Sequence, residues 1–158
     1  MDRAITLSAE EKAVLDWVDS RADGMIAAVK DWSAINTGSR NADGLELMRA
    51  RLTDAFGELE ARIEPVELSP SQTVTNDGEI VDVHYTPALK VSQRPDAPIR
   101  IVLTGHSDTV FAADNPFQSW QMLDEDTLNG PGVADMKGGL LVMLHALLAL
   151  ERSPWAEG

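Results

Sequence analysis

The chain has 158 residues, enough for one domain with a hydrophobic core, and 44% of them are hydrophobic, which is typical of a globular protein. Its 13 basic and 26 acidic residues give a formal net charge of -13, so we expect it to bind neither nucleic acid nor anionic membranes. The absence of cysteine excludes disulfides and thiolate metal sites, so a metal ion would need histidine and carboxylate ligands.

The sequence predicts neither a signal peptide nor a membrane span. The N-terminal stretch MDRAITLSAEEKAVLDW carries charges throughout and lacks the apolar core of a signal peptide. The longest apolar run, GLLVMLHALLAL, is shorter than the roughly 20 residues that a membrane-spanning helix needs. We therefore expect a cytoplasmic protein.

Three helices are predicted from apolar residues at helical spacing. A capping box opens the first helix, which the pattern predicts over residues 9–32. After a loop rich in glycine, asparagine and serine, a second amphipathic helix begins at Asn41 or Asp43. Residues 136–151 are apolar almost all round, which predicts a buried third helix.

Strand-like segments lie between the second and third helices. Residues 62–68 and 79–91 are separated by a segment that ends in the turn signal Asn-Asp-Gly. Residues 99–105 form a nearly continuous apolar run, which is typical of a strand covered on both faces. Residues 117–132 resemble a hairpin whose acidic tip, Asp124 to Asp126, is solvated.

This order of elements predicts the fold class. Helices mixed with strands, and a buried strand that leads into a loop, indicate an α/β fold with a mixed, mainly parallel sheet flanked by helices and with ligands at the carboxyl ends of the strands. No repeat or change in composition marks a second domain. The order also looks unfinished, because the buried last helix would need a following strand and another layer to cover it.

The stretch LTGHSDTVFA places His106 and Asp108 at the end of the apolar run. Side chains two residues apart in an extended chain point the same way, so an imidazole and a carboxylate leave the strand together. A metal-bound histidine usually donates its second ring N–H to a carboxylate, which fixes its orientation. Taken alone, this tripeptide fits a structural His–Asp hydrogen bond better than a metal site.

The second candidate motif is GPGVADMKGG, which puts Asp135 at the start of the last helix. A carboxylate has two oxygens and can bridge two cations. Its alternative role is an ordinary N-cap followed by packing glycines. The motif is not a phosphate-binding P-loop, because Lys137 lacks the preceding glycine and the following serine or threonine.

Together the two motifs resemble the zinc-dependent amidohydrolases and peptidases that include glutamate carboxypeptidases, acetylornithine deacetylases and succinyl-diaminopimelate desuccinylases. GHSDTV is similar to the first metal motif of that family, and NGPGVADMKGG is similar to the second. INTGSRNADGL is similar to the loop before the second helix in the glutamate carboxypeptidase branch. The resemblance covers residues 30–152 and implies the N-terminal portion of a zinc-exopeptidase-like catalytic domain over residues 1–158.

The resemblance also implies a role for each motif residue. His106 would ligate one metal, Asp108 would be the catalytic residue that orients His106, and Asp135 would bridge two zinc ions, with cobalt or manganese as alternatives. The peptide bond between Asp135 and Met136 would be cis. Many relatives have aspartate where Met136 stands, but that position lies outside the ligand set.

Other parts of the family pattern have no counterpart here. In the family a pair of adjacent glutamates supplies the general base and a ligand, and a late acidic residue and a histidine complete the two metals. Neither Glu151 nor Glu157 forms such a pair. An inserted lid and dimerisation domain is absent too, so the resemblance implies a homodimer only for a full-length protein.

Three functions therefore remain open. The first is the N-terminal part of a di-zinc hydrolase of amide bonds in N-acyl amino acids or small peptides with a free carboxylate, inactive as these 158 residues alone. The second is a non-catalytic truncated homologue that binds a metal weakly or serves as an interaction module. The third is a metal-free structural α/β domain.

The remaining histidines and the tryptophans are predicted to be structural. His145 lies within the apolar last helix and is expected in the core, and His84 is expected on a strand surface. Trp17 and Trp32 fall on or beside the apolar stripe of the first helix, and Trp120 is expected to pack the hairpin.

Overall fold

The computed structural model describes residues 6–156. Its elements are, in chain order, α1 Ala9–Asp19, α2 Ala22–Ser33, α3 Ala42–Phe56, β1 Arg62–Val66, β2 Ser71–Val74, β3 Ile80–Val83, β4 Ala88–Ser92, β5 Gln121–Met122, β6 Leu128–Asn129 and α4 Gly138–Glu151. A turn of wide helical pitch, Val133–Lys137, leads directly into α4. The predicted α/β class is confirmed.

The hydrophobic core is built from α2, α3 and α4. Each helix buries one apolar face, as the periodicity predicts, and each large side chain removed from water contributes about 1.5–3 kcal/mol. The buried apolar side chains of these helices are Val29, Trp32, Met48, Leu52, Phe56, Leu140, Leu141, Leu144, Leu148 and Ala149. Asn41 is the N-cap of α3, and its side-chain oxygen accepts a hydrogen bond from the Gly44 N–H, so the predicted start of this helix is confirmed.

The single helix predicted over residues 9–32 is wrong, because the chain breaks into α1 and α2 at Ser20 and Arg21. The Ser20 hydroxyl donates to the Trp17 carbonyl at 2.6 Å, and the Arg21 N–H donates to the Val18 carbonyl at 2.9 Å. These local bonds replace the continuing α-helical ladder. The break allows α1 to pack on α4, where Trp17 lies under the Arg152 guanidinium.

The mainly parallel sheet of the prediction is not observed. Within residues 6–156 the strands form three antiparallel pairs, β1 with β4, β2 with β3, and β5 with β6. The one parallel contact in this range is an isolated bridge between Gly38 and Thr109. The Asn-Asp-Gly turn closes the hairpin of β2 and β3, and the acidic tip predicted between β5 and β6 is exposed. Residues 79–91 form two strands, β3 and β4, rather than one.

The apolar run of residues 99–105 does not form the predicted buried strand. It pairs with no other strand in the described part of the chain, and Ile99, Ile101 and Val102 are 80%, 80% and 83% exposed. The prediction failed because an apolar run becomes a covered strand only where neighbouring strands and helices are present on both sides. Residues 6–156 supply no such neighbours, so this apolar row lies on the surface.

Helix α4 is buried on one side and exposed on the other. Its buried face packs against α1 and α2, while Val142 and Leu150 are 61% and 44% exposed, as expected for an apolar helix whose second covering layer these residues do not supply. The stretch Val133–Glu151 is long and apolar enough to cross a membrane by length and composition alone. Its first turn contains non-helical backbone at Asp135 and Met136, so the regular α-helix has 14 residues.

Candidate metal centre

The backbone brings the two motifs together at the start of α4. Gly105 precedes His106, and a Cβ atom at Gly105 would lie 2.8 Å from Leu140 Cδ2 and 2.9 Å from Met136 Cε. Glycine at this position therefore lets the segment that carries His106 lie directly against the α4 start. The result is a contact between His106 and Asp135, which are 29 residues apart in the sequence.

The imidazole of His106 lies between two carboxylates. Its Nδ1 atom is 3.1 Å from Asp108 Oδ1 and 3.1 Å from the Asp108 carbonyl oxygen. Its Nε2 atom is 2.9 Å from Asp135 Oδ1. With Nδ1 donating to Asp108, a proton on Nε2 or a metal ion beside it would satisfy the contact between Nε2 and Asp135 Oδ1.

The two carboxylates also change the protonation of His106. Partial burial, the largest single influence, lowers the pKa of this imidazole. The hydrogen bond to Asp135, the bond to Asp108 and the two negative charges together outweigh it, so the pKa of His106 lies above its ordinary value. The site therefore attracts a positive charge to the imidazole edge, which a proton or a metal ion can supply.

Asp135 has no helix-capping role. The start of α4 has no side-chain capping hydrogen bond, and the Asp135 side chain is 86% exposed. The peptide bond between Asp135 and Met136 is cis, as the family resemblance implied. The carboxylate faces His106 and solvent, which leaves its second oxygen open to a further ligand.

The loop between α2 and α3 supports the first motif. The sequence analysis did not predict this support. The Ser39 hydroxyl donates to Asp108 Oδ2 at 2.5 Å, so both oxygens of that carboxylate are held. The Thr109 N–H donates to the Thr37 carbonyl at 2.8 Å, and the Ser39 N–H donates to the Thr109 carbonyl at 3.1 Å. The sequence gives no signal of this contact, because Ser39 and Asp108 are about 70 residues apart.

Lys137 anchors the second motif to the C-terminal end of α2 and to the loop that follows it. The sequence analysis did not predict this role. Its side chain is fully buried, and Nζ donates to the carbonyls of Trp32 at 2.9 Å and Ile35 at 2.8 Å, next to the C-terminal end of α2. The Ser33 hydroxyl adds a bond to the Pro131 carbonyl at 3.0 Å. Burial lowers the pKa of Lys137 to about 8.

The donor set of this centre fits a metal ion. An imidazole nitrogen and a carboxylate oxygen are ordinary zinc ligands, and a carboxylate on the other ring nitrogen is the arrangement that orients a metal-bound histidine. Across residues 6–156 no group of three or more histidine, cysteine, aspartate or glutamate side chains could hold a metal ion. His106 and Asp135 are thus two donors of a site that requires further ligands.

The other histidines lie away from this centre. His145 is buried, and its Nδ1 atom is 3.0 Å from the Leu141 carbonyl, so its predicted place in the core is confirmed. His84 is exposed, as predicted, but lies just after β3 rather than on a strand. Trp32 is a core residue, and Trp17 is partly buried beside the core. The Lys30 ammonium lies over the Trp120 ring, 4.8 Å from its centre.

Comparisons with known proteins agree with the motifs. Residues 102–157 match the sequence profile of peptidase family M20/M25/M40. Two proteins named "Probable succinyl-diaminopimelate desuccinylase", from two strains of Staphylococcus epidermidis, are 35% identical to this chain in an alignment of 81 residues that covers 49% of this chain and 20% of theirs. The chain therefore matches about a fifth of the length of these curated relatives.

A solved structure shows the same fold. Human carnosine dipeptidase 1 superimposes with a TM-score of 0.66 at 22% sequence identity, over 92% of this chain and 32% of that protein. The family resemblance read from the two motifs is confirmed, and so is the fold class. Each of these matches covers only part of the other protein.

Proposed function

Because residues 102–157 match the sequence profile of peptidase family M20/M25/M40, we propose that this chain is the N-terminal part of a metal-dependent hydrolase of amide bonds. The observation that carries the proposal is the contact of 2.9 Å between His106 Nε2 and Asp135 Oδ1, with Asp108 on the opposite ring nitrogen. A proton on Nε2 or a metal ion between the two atoms would satisfy this contact, and the proposal assigns the metal ion.

In this proposal His106 and Asp135 would hold zinc, and Asp108 would keep the imidazole in the tautomer that leaves Nε2 free for it. The chemistry that bound metal supplies in such a site is polarisation of a carbonyl oxygen and activation of water. Asp135 would reach a second zinc ion with its other carboxylate oxygen. The general base and the remaining ligands would come from outside these residues, so we expect no catalysis by the 158-residue chain alone.

The proposed substrates are N-acyl amino acids or small peptides with a free carboxylate. The relatives are named a desuccinylase and a dipeptidase, and both names describe cleavage of an amide bond next to an amino acid. The full-length protein would be a homodimer, and we expect it in the cytoplasm. The substrate class and the homodimer rest on the family resemblance.

A second candidate function is a non-catalytic module that binds one metal weakly. Its support is that the described residues bring only His106 and Asp135 to one point, without a third ligand. The two candidates differ in whether the natural protein has further residues that supply the missing metal ligands and the general base.

One experiment separates them. The protein is isolated from its natural source, its intact mass is measured, and zinc-dependent release of amino acid from N-acetyl and N-succinyl amino acids is assayed. The hydrolase proposal predicts a species much heavier than 17.2 kDa whose activity is lost in a His106→Ala variant. A species of 17.2 kDa without activity would favour the metal-binding module.

A further inference from the structure

Lys137 is a lysine with no exposed surface, and the proposed chemistry does not use it. Its Nζ atom lies at the end of α2, where it donates to the carbonyls of Trp32 at 2.9 Å and Ile35 at 2.8 Å. Burying an amino group costs free energy, and an apolar side chain of similar size would fill the space without that cost. A lysine at this position therefore points to what its Nζ atom holds in place.

The backbone of Lys137 closes the turn that carries Asp135. The Lys137 N–H donates to the Gly132 carbonyl at 2.7 Å, and the Gly138 N–H donates to the Val133 carbonyl. The lysine stem runs along the same turn, because a Cβ atom at Gly132 would lie 2.9 Å from Lys137 Cδ and 3.1 Å from its Cε. A displacement of Lys137 would therefore displace Asp135, which lies two residues earlier in this turn.

The other end of the Lys137 side chain reaches the loop that supports His106. Ile35, one of the two acceptors of Nζ, lies four residues before Ser39 in this loop. The Ser39 hydroxyl donates to Asp108 Oδ2 at 2.5 Å, and Asp108 Oδ1 lies 3.1 Å from Nδ1 of His106. The same loop thus receives Nζ and orients the partner of the imidazole.

Other contacts also hold the start of α4 in this place, but they act differently. The Ser33 hydroxyl donates to the Pro131 carbonyl at 3.0 Å, and Pro131 precedes the turn rather than lying in it. Gly105 lies against the Met136 side chain, which is an apolar contact without directional preference. Lys137 joins the turn itself to the loop by directed hydrogen bonds.

We propose that Lys137 is a positioning residue that sets the spacing between His106 and Asp135, the two donors of the candidate metal centre. It ties the turn that carries Asp135 to the loop that supports Asp108 and, through Asp108, the imidazole of His106. Because the side chain is fully buried, it acts through these two segments and not by contact with a ligand. Its effect on metal binding rests on the proposed function, whereas its effect on the contact between the two motifs does not.

The test compares Lys137→Met with Lys137→Gln in the 158-residue chain. The two new side chains have nearly the same length, but only glutamine keeps N–H donors. In the metal-free protein, the contact between the motifs is measured as the nuclear Overhauser effect between the Gly105 α-protons and the Met136 methyl group, since a Cβ atom at Gly105 would lie 2.9 Å from Met136 Cε. Zinc affinity is measured by titration calorimetry, after urea denaturation has shown that each variant is folded.

Lys137→Met is expected to weaken this Overhauser effect and to lower zinc affinity at least about tenfold, the usual scale for losing a group that supports a metal ligand. Lys137→Gln should lose less of both, and it takes the place of Lys137→Met in the comparison with the wild type if the methionine variant does not fold. Ser33→Ala is the matched control, because it removes a buried hydrogen bond beside the turn and leaves Lys137 in place. It should bind zinc as the wild type does.

The proposal is overturned when Lys137→Met keeps both the Overhauser effect and the zinc affinity of the wild type, or when Ser33→Ala loses as much zinc affinity as Lys137→Met. A wild type that binds no zinc, but whose Overhauser effect is lost in Lys137→Met and kept in Ser33→Ala, would reject the proposed metal centre and leave the positioning role of Lys137 standing.

Discussion

His106 Nε2 lies 2.9 Å from Asp135 Oδ1, although the two residues are in different motifs. Neither residue alone distinguishes a metal site from an ordinary strand end or helix start. Their contact joins the edge of an imidazole that is oriented by Asp108 to a carboxylate that is still largely exposed, and the proposed metal centre rests on this pair. The predictions below test this contact and the scaffold that produces it.

Asp108 should control metal affinity through His106. In Asp108→Ala the Nδ1 atom of His106 loses its carboxylate partner, so the ring is free to turn and to change tautomer. Zinc affinity is expected to fall by about 10–100-fold, the usual effect of losing such a partner. Titration calorimetry measures it, with Asp54→Ala on the exposed side of α3 as the control. Equal zinc affinities in the two variants would remove Asp108 from the site.

Gly38 should be required for the junction between the two loops. In Gly38→Ala the new Cβ atom would lie 2.6 Å from the Phe111 carbonyl oxygen, which is backbone and cannot rotate away. We expect a loss of about 1–3 kcal/mol in the free energy of unfolding, the usual cost of overpacking. Gly24→Ala is the matched control, because a Cβ atom there meets nothing within 4 Å and alanine favours the α2 helix. Urea denaturation of both variants distinguishes a specific clash from a general intolerance of alanine.

Lys137 should make stability depend on alkaline pH. Its pKa is about 8 in the folded chain and has the ordinary value of 10.5 in the unfolded chain. Below pH 8 both states bind the proton. Between these two pKa values only the unfolded state binds it, so the free energy of unfolding rises with pH, by at most about 1.4 kcal/mol per pH unit.

The variant Lys137→Met removes this contribution and keeps the volume of the side chain. Urea denaturation at several pH values from 7 to 10.5 compares it with the wild type. The difference in stability between the two proteins should grow with pH in favour of the wild type. Parallel curves would mean that burial does not lower the pKa of Lys137.

The exposed apolar row of residues 99–103 should make the 158-residue chain associate with itself, because large uncovered apolar patches favour association. In the double variant Ile101→Lys, Val102→Lys, sedimentation velocity should show a larger monomer fraction at the same concentration. The control is Val74→Lys, Ile80→Lys, a cross-strand pair of similar exposure in the β2–β3 hairpin. A wild-type chain that is monomeric throughout would contradict the expectation.

The sequence was sufficient where a local pattern decides the structure. Met48, Leu52 and Phe56 recur at helical spacing and lie in the core, and the Asn-Asp-Gly signal sits at a tight turn. The sequence also brought His106, Asp108 and Asp135 forward as one candidate centre, through the resemblance of the two motifs to a known family.

Features that depend on distant partners could not be predicted. The bond from Ser39 to Asp108 and the burial of Lys137 against Trp32 join segments about 70 and 105 residues apart. The break at Ser20 was hidden because the apolar spacing continues across it. Residues 99–105 have the composition of a buried strand, but burial is decided by what packs against them and not by their own sequence.

The most direct test of the proposed metal centre is the zinc affinity of the wild-type chain beside that of His106→Ala. His84→Ala is the matched control, since His84 is an exposed histidine outside the centre. We predict that His106→Ala binds zinc at least about tenfold more weakly than the wild type, because it removes one of the two donors, and that His84→Ala binds zinc as the wild type does. Equal zinc affinity in all three proteins would contradict the assignment of His106 and Asp135 as metal ligands.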